Sequence, residues 1–188
     1  MRSIAIGLAL WVMVVLSACG QSDSRTPRAA DRELDRARSF DHYTLYYLGN
    51  SFRGLRLTDV LARPEFGHET WDFIYGNCTP TGGEQPSCPP PLDIQNWSVC
   101  ARFAAIYPGR TPKTSPVGGA ETLPAGGGLD VYTGRTTVVI FGGGTTAVIH
   151  SLRRVSDDIK PDTLPEPVSG SLGGHLPCQA PALRRVAH

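Results

Sequence analysis

The sequence predicts an α+β domain: a small, mostly antiparallel sheet of about five strands with a helix on one face, rich in loops and held by two disulfide bonds. Three observations predict this class. Short runs of β-branched and aromatic residues are separated by turn signals. An amphipathic helix pattern follows the last run. The 188 residues include 21 Gly, 16 Pro and 5 Cys, and hairpin-type connections between the runs favour antiparallel pairing.

The first 18 residues have the pattern of an export signal. Arg2 precedes an uninterrupted apolar run from residue 4 to residue 16, which is shorter than the roughly 20 residues that a membrane-spanning helix needs. The run has the length of the apolar region of a signal peptide, and the small residues Ser17 and Ala18 follow it. We therefore expect cleavage after residue 18.

The residues around the expected cleavage point carry a more specific signal. Leu16-Ser17-Ala18-Cys19 matches the bacterial lipobox, so the start of the chain resembles that of a bacterial lipoprotein. The resemblance implies that Cys19 becomes the mature N-terminus and carries a thioether-linked diacylglycerol, often with a further acyl chain. Several chains hold a protein stably, because each buried CH₂ contributes about 0.8 kcal/mol. The expected location is the extracytoplasmic face of the cell membrane, with the membrane as partner through this lipid.

Composition changes along the mature chain predict its organisation. We expect a signal peptide at 1–18, a lipid anchor and flexible tether at 19–39, and the α+β domain at 40–157. A Pro-rich irregular tail tied back by a disulfide follows at 158–188. The tether has mixed charges and almost no large apolar residues, which is typical of a solvated segment; a short helix at 29–38 is the alternative.

The first half of the domain contains two strand patterns and one helix pattern. Residues 43–48 are rich in strand formers, and 71–75 alternates so that its three aromatic residues share one face. Between them, 58–63 predicts a short helix capped by Thr58 and stopped by Pro64.

The second half begins with a predicted strand at 92–99, which pairs with 71–75 across the loop between them. A second hairpin joins 129–132 to 136–141 through a turn at 133–135. The latter run has no polar face, so we expect a central strand, followed by a helix that reaches about residue 157. Residues 108–128 predict a long surface loop or a partly disordered segment.

Four cysteines remain after the lipidated one: Cys78, Cys88, Cys100 and Cys178. An even number in an exported protein predicts two disulfides with three possible connectivities. We favour Cys78–Cys88, which closes a short Pro/Gly loop, and Cys100–Cys178, which fixes the tail. A redox pair is disfavoured because Cys-x-x-Cys is absent, and a zinc site because no short ligand pairs occur.

No motif predicts a cofactor, a metal or a nucleic acid. The net charge of +1 and the pI near 7.7 give no basic surface for nucleic acid. Residues 142–147 match G-x-G-x-x-A, but no second parallel strand with a terminal acidic residue follows, as a dinucleotide site requires. We interpret them as a flexible turn. The histidines lie in no compact metal pattern.

Catalytic residues are likewise not predicted. Asp72, Asp93 and Asp130 each fall on a predicted strand, where we expect the solvent face, with no second carboxylate placed near enough in sequence to suggest an acid–base pair. The aromatic residues on the predicted strands suggest sheet core, with a binding platform as the alternative: Tyr43, Tyr46, Tyr47, Trp71, Tyr75 and Trp97.

The function hypothesis is therefore a membrane-anchored extracytoplasmic binding or interaction domain for an envelope component, a partner protein or a small ligand. The mature chain resembles uncharacterised exported lipoproteins, and no family activity carries over to it. The loops 78–91 and 108–128 are the expected binding segments, because such functions concentrate on loops. One alternative is an exported enzyme, either a thiol oxidoreductase or a hydrolase with dispersed site residues. The other is a structural accessory subunit of an envelope complex.

Overall fold

Ten strands and three short helices make up the residues that the computed structural model describes, which are 27–77, 89–107, 115–133 and 135–157. The helices are α1 (Pro27–Arg38), α2 (Val99–Ile106) and α3 (Thr145–Ser151). The strands are β1 (Tyr46–Tyr47), β2 (Ser51–Phe52), β3 (Leu55–Glu65), β4 (His68–Tyr75), β5 (Leu92–Ser98), β6 (Ser115–Val117), β7 (Ala120–Ala125), β8 (Gly128–Tyr132), β9 (Thr136–Gly142) and β10 (Arg153–Arg154).

The main sheet is antiparallel and has the strand order β2-β3-β4-β5-β9-β8-β7-β6. Strands β2 to β5 form one meander and β6 to β9 form a second, and the two meet at the central β5–β9 pair. A separate two-stranded sheet pairs β1 with β10. The predicted class, mostly antiparallel sheet with few helices, is confirmed, but the main sheet has eight strands instead of about five.

One face of the main sheet carries the larger hydrophobic core. Alternate residues of β4, β5 and β9 point into it, because successive side chains of a strand face opposite sides. Helix α1, the segment 43–48, helix α3 and the chain after it cover this face. Its fully buried members include Trp71, Phe73, Tyr75, Ile94, Val138, Val148 and Ile149.

The opposite face is covered in part by α2. Phe103 of this helix packs with Leu123 of β7 and Tyr132 of β8. Both strand residues point away from the larger core, because successive side chains of a strand face opposite sides. Helices therefore lie on both faces of the sheet, where the sequence predicts a helix on one. The strands β3, β4 and β5 extend beyond α2 on this side.

Three local predictions were wrong, each for a physical reason. Residues 58–63 lie in β3, because pairing along β4 decides the conformation of a segment whose apolar residues also fit a helix. Part of 108–128 forms the hairpin β6–β7. The helix predicted up to residue 157 ends at Ser151, because the chain then pairs with Tyr46 and Tyr47 as β10.

The folded part begins before residue 40. Helix α1 places Leu34 and Ala37 in the larger core, so part of the predicted tether packs against the sheet. Within the described ranges, no helix is both long and apolar enough to cross a membrane. Cys19, Cys78, Cys88 and Cys178 lie outside the described residues, as does the whole of the predicted tail. Cys100 lies in α2.

Candidate functional site

Two aspartates occupy neighbouring strands on the sheet face that also carries α2. Asp72 of β4 lies opposite Gln95, and Asp93 of β5 lies opposite Ile74. The two aspartates are thus diagonal neighbours on one face of an antiparallel pair, a spacing at which side chains interact. Arg63 of β3 lies on the same face, because it is two residues from Leu61, which pairs with Asp72.

Both carboxylates are buried, and both are short of hydrogen-bond donors. Asp72 is 1% exposed and Asp93 is 9% exposed. Nε of Arg63 lies 3.1 Å from Oδ2 of Asp72, an ion pair by distance without the alignment of a hydrogen bond. Among the described residues, both oxygens of Asp72 and Oδ1 of Asp93 have no donor. Buried polar atoms normally have a hydrogen-bond partner, and three oxygen atoms of this cluster have none among the described residues.

Burial is the main cause that raises the pKa of both carboxyls. Burial raises the pKa of Asp72 well above its ordinary value; the charge of Asp93 raises it further, while Arg63 opposes the shift. Burial likewise raises the pKa of Asp93 to about 7, against the opposing effects of Arg63 and of a hydrogen bond from Gln95. Glu65 adds to the shift of both groups. The site therefore binds a proton near neutral pH, because one guanidinium does not neutralise the carboxylates around it.

Two aromatic residues lie at the hairpin end of this face. Phe66 is the first residue of the β3–β4 turn and is 70% exposed, the only large apolar side chain so exposed in the described parts of the chain. Its ring lies 6.2 Å from that of buried Trp97. The indole Nε1 of Trp97 is 3.5 Å from Oε1 of Gln95, and Gln95 lies between Trp97 and Asp93 on one face of β5. Gln95 thus stands between the aromatic pair and the carboxylate pair.

The backbone at Phe66 is strained. Its φ is +49° and that of Gly67 is +78°, a left-handed pair typical of a tight hairpin turn in which Asn-Gly is the favoured sequence. A bulky residue with positive φ is an outlier that points to a constraint of another kind. The ring thus packs against Trp97 while it remains mostly exposed.

A third buried carboxylate on the same face, that of Asp130, is paired with a guanidinium, although burial still raises its pKa against the effect of that pair. Asp130 of β8 receives two contacts from Arg102 of α2, at 3.4 Å from Nε and 3.3 Å from Nη2. The guanidinium of Arg102 also lies over the ring of Trp97, 5.1 Å from its centroid. This one-to-one pair explains how α2 docks, and its balance contrasts with the excess negative charge at Asp72 and Asp93.

The placement of the aspartates corrects the sequence interpretation. Asp72, Asp93 and Asp130 are buried instead of facing solvent, and two of them lie together. A signal was available, because the alternation of 71–75 and 92–99 in one hairpin puts Asp72 and Asp93 on a common face. Proximity in the fold comes from the hairpin register and not from closeness in sequence.

The other candidates have structural roles or lie apart. The six aromatic residues on predicted strands are all buried, and five of them belong to the larger core. Gly142 and Gly143 have positive φ between β9 and α3, and β9 pairs with antiparallel neighbours, which does not fit a dinucleotide site. Throughout the described ranges, no three His, Cys, Asp or Glu side chains are grouped as metal ligands.

Comparison of the chain with protein-family models, with curated proteins and with solved structures finds no match. The chemistry must therefore be argued from the site itself. A buried pair of carboxyls with raised pKa values, three free acceptor oxygens and an aromatic rim can bind a proton or a positively charged group. It can also exchange a proton with a bound molecule.

Proposed function

We propose that this chain is a membrane-tethered extracytoplasmic lipoprotein whose folded domain binds a ligand or partner of the cell envelope. The tether is the lipid on Cys19, and two disulfides, Cys78–Cys88 and Cys100–Cys178, frame the domain. The binding site is the face of β3, β4 and β5 that carries Asp72 and Asp93. The observation that supports this assignment is the excess of buried carboxylate over guanidinium at that face, because an uncompensated buried charge is costly unless something binds there.

The anchor and the disulfides are tested by a non-reducing peptide map, by mass spectrometry, of protein extracted from native membranes. We expect an N-terminal peptide that starts at diacylated Cys19, and the four other cysteines paired. Replacement of Cys19 by Ser should prevent lipidation, whereas Cys178→Ser should leave the lipid in place. An unmodified Cys19 would reject the anchor, and labelable thiols at Cys78 and Cys88 would favour the thiol oxidoreductase.

The binding face is tested by placing a photo-crosslinking amino acid at position 61 in living cells. Leu61 is the β3 residue opposite Asp72 and is half-buried. Exposed Pro116, in edge strand β6, supplies the control position. We expect an adduct from position 61 that the combined replacements Asp72→Asn and Asp93→Asn abolish. No adduct, or the same adduct from position 116, would reject this face as the site.

One observation favours a second candidate, an exported hydrolase. A carboxyl whose pKa is raised to about 7, next to another carboxyl, is the arrangement that general acid–base catalysis uses. Turnover of a glycan or peptide fraction of the envelope that either Asp72→Asn or Asp93→Asn removes would favour this candidate. A structural accessory role would instead be favoured by stable co-purification with one membrane protein that survives both replacements.

A further inference from the structure

We propose that the site at Asp72 and Asp93 binds a guanidinium group, which supplies the positive charge that the described residues around the two carboxylates do not. The inference rests on the proposed binding function and names the chemistry of its ligand. Three lines of evidence support it: the charge balance, the free acceptor atoms, and an equivalent arrangement elsewhere on the same face.

The charge balance comes from the groups that each neighbouring element presents. Strand β3 contributes Arg63 and Glu65, and β4 and β5 contribute Asp72 and Asp93. On the β9 side, Asp93 lies opposite apolar Phe141. Among the described residues, one cation therefore faces three carboxylates, two of them buried. Burial without compensation favours protonation or the capture of a cation.

The acceptor atoms define what kind of cation fits. Both oxygens of Asp72 and one of Asp93 are without donors, and they lie on diagonal strand positions. A guanidinium presents five N–H donors in a planar fork that suits two carboxylates, whereas an ammonium presents three. Calcium takes six to eight oxygen ligands, and the described residues group no three metal-ligating side chains. The geometry therefore favours an organic cation.

The same sheet face already holds one guanidinium in such a setting. Arg102 bonds buried Asp130 and stacks over Trp97. At the candidate site, Asp72 corresponds to Asp130, and the exposed ring of Phe66 beside Trp97 corresponds to the aromatic surface. A cation over an aromatic ring is attracted by the negative face of the ring, which gives a reason for a strained Phe in the turn. The acceptor oxygens themselves are buried, so a ligand reaches them where the Arg63 side chain, which is 38% exposed, moves aside.

Two physical consequences can be measured. First, a bound guanidinium displaces the proton, so the affinity falls as the pH drops below the pKa of about 7; between pH 8 and pH 6 the loss should be about tenfold. Second, the planar fork should discriminate against an ammonium on a chain of similar length. Agmatine and cadaverine are suitable probes, because they differ at one end in this way.

The experiment is calorimetric titration of the detergent-solubilised full-length mature protein with agmatine and with cadaverine, at pH 6 and pH 8. We expect agmatine to bind more tightly than cadaverine at pH 8 and about tenfold more weakly at pH 6. Asp72→Asn should abolish binding, and Asp93→Asn should weaken it and reduce its pH dependence. The control Asp41→Asn changes a carboxylate that is almost fully exposed and should have no effect.

A further variant tests the inference even if the aspartate replacements prevent folding. Leu61→Arg places a guanidinium opposite Asp72, so it should raise the melting temperature at pH 8 and block agmatine. N-acetyl-arginine-N-methylamide distinguishes the source of the group: tighter binding than agmatine indicates a peptide-borne arginine, and weaker binding indicates a free small cation. Both outcomes support guanidinium recognition.

Agmatine titration and the crosslink at position 61 distinguish failure of guanidinium recognition from failure of the proposed binding function. If the protein binds no agmatine and no arginine derivative while the crosslink at position 61 persists, the ligand is not a guanidinium and the binding face stands. Equal binding of cadaverine, or binding that Asp72→Asn leaves unchanged, also overturns the inference. If the crosslink is absent as well, the face is not a binding site.

Discussion

At the residue scale, single polar atoms fix the segment before β2 to the sheet. The hydroxyl of fully buried Tyr75 accepts the N–H of Leu48 at 2.8 Å and donates to the carbonyl of Gly49 at 3.0 Å. Asn96, also fully buried, bonds both the N–H and the carbonyl of Tyr46. Each side chain thereby replaces a missing backbone partner, which buried N–H and C=O groups require.

Replacement of Tyr75 by Phe tests this role. The change leaves one N–H and one carbonyl buried without their partner, so we expect a loss of about 1–3 kcal/mol in the free energy of unfolding. Tyr107→Phe is the matched control, because its hydroxyl bonds the carbonyl of Pro124 at an exposed position, and it should cost less than about 0.5 kcal/mol. Urea unfolding measures both. Equal losses would show that the Tyr75 hydrogen bonds do not hold the segment.

A second residue-scale prediction concerns the strained turn. Phe66→Asn should stabilise the fold by about 0.5–1 kcal/mol, because Asn adopts positive φ more readily, and it should weaken agmatine binding. Arg53 is the matched control: it has φ +48° before Gly54 in the β2–β3 turn, so Arg53→Asn should stabilise similarly without changing the affinity. Thermal unfolding and calorimetry give the two readouts. If Phe66→Asn leaves the affinity unchanged, the aromatic ring is not part of the site.

At the scale of elements, hairpin register determines both the sheet and the candidate site. The pairing of β4 with β5 could be predicted from the alternation of apolar residues. The central position of β9 could be predicted because its residues are apolar on both faces. Strand β3 could not, because 58–63 also matches a capped helix and only its partner β4 selects the strand. The predicted hairpin was sufficient to place Asp72 and Asp93 on one face. Their burial could not be predicted, because it depends on elements that are distant in sequence.

The turn between β9 and α3 gives a prediction at this scale. Gly142 has φ +79°, and a Cβ there would collide with the carbonyl oxygen of Pro91. Gly142→Ala should therefore cost more than about 3 kcal/mol, since the left-handed backbone adds about 1–2 kcal/mol to the collision. Gly127 has φ +83° with no atom near the same position, so Gly127→Ala should show the backbone cost alone. Urea unfolding of both variants gives the difference, and equal costs would show that close approach to Pro91 is unimportant.

At the scale of the whole molecule, the uncompensated carboxylates link folding to pH. The pKa of Asp93 is about 7 in the folded protein against an ordinary value of 3.8, and that of Asp72 is also raised. The folded state therefore binds protons more strongly than the unfolded state. This contribution is fully present below the unfolded pKa and is lost as the pH rises through the folded pKa.

The last prediction follows from this linkage. The free energy of unfolding of the solubilised mature protein should fall between pH 4.5 and pH 8, by at most about 4 kcal/mol for the shift of Asp93. Asp93→Asn removes one of the two titrating groups while keeping the side-chain shape, so it should make the profile less steep and stabilise the protein at pH 8. Asp41→Asn, at an exposed carboxylate, should leave the profile unchanged. Saturating agmatine should also flatten the wild-type profile, because the bound cation replaces the proton and its binding energy at high pH stabilises the folded state. A wild-type stability that rises toward pH 8 without ligand would mean that Arg63 alone neutralises the pair, and the charge argument for the binding site would then fail with it.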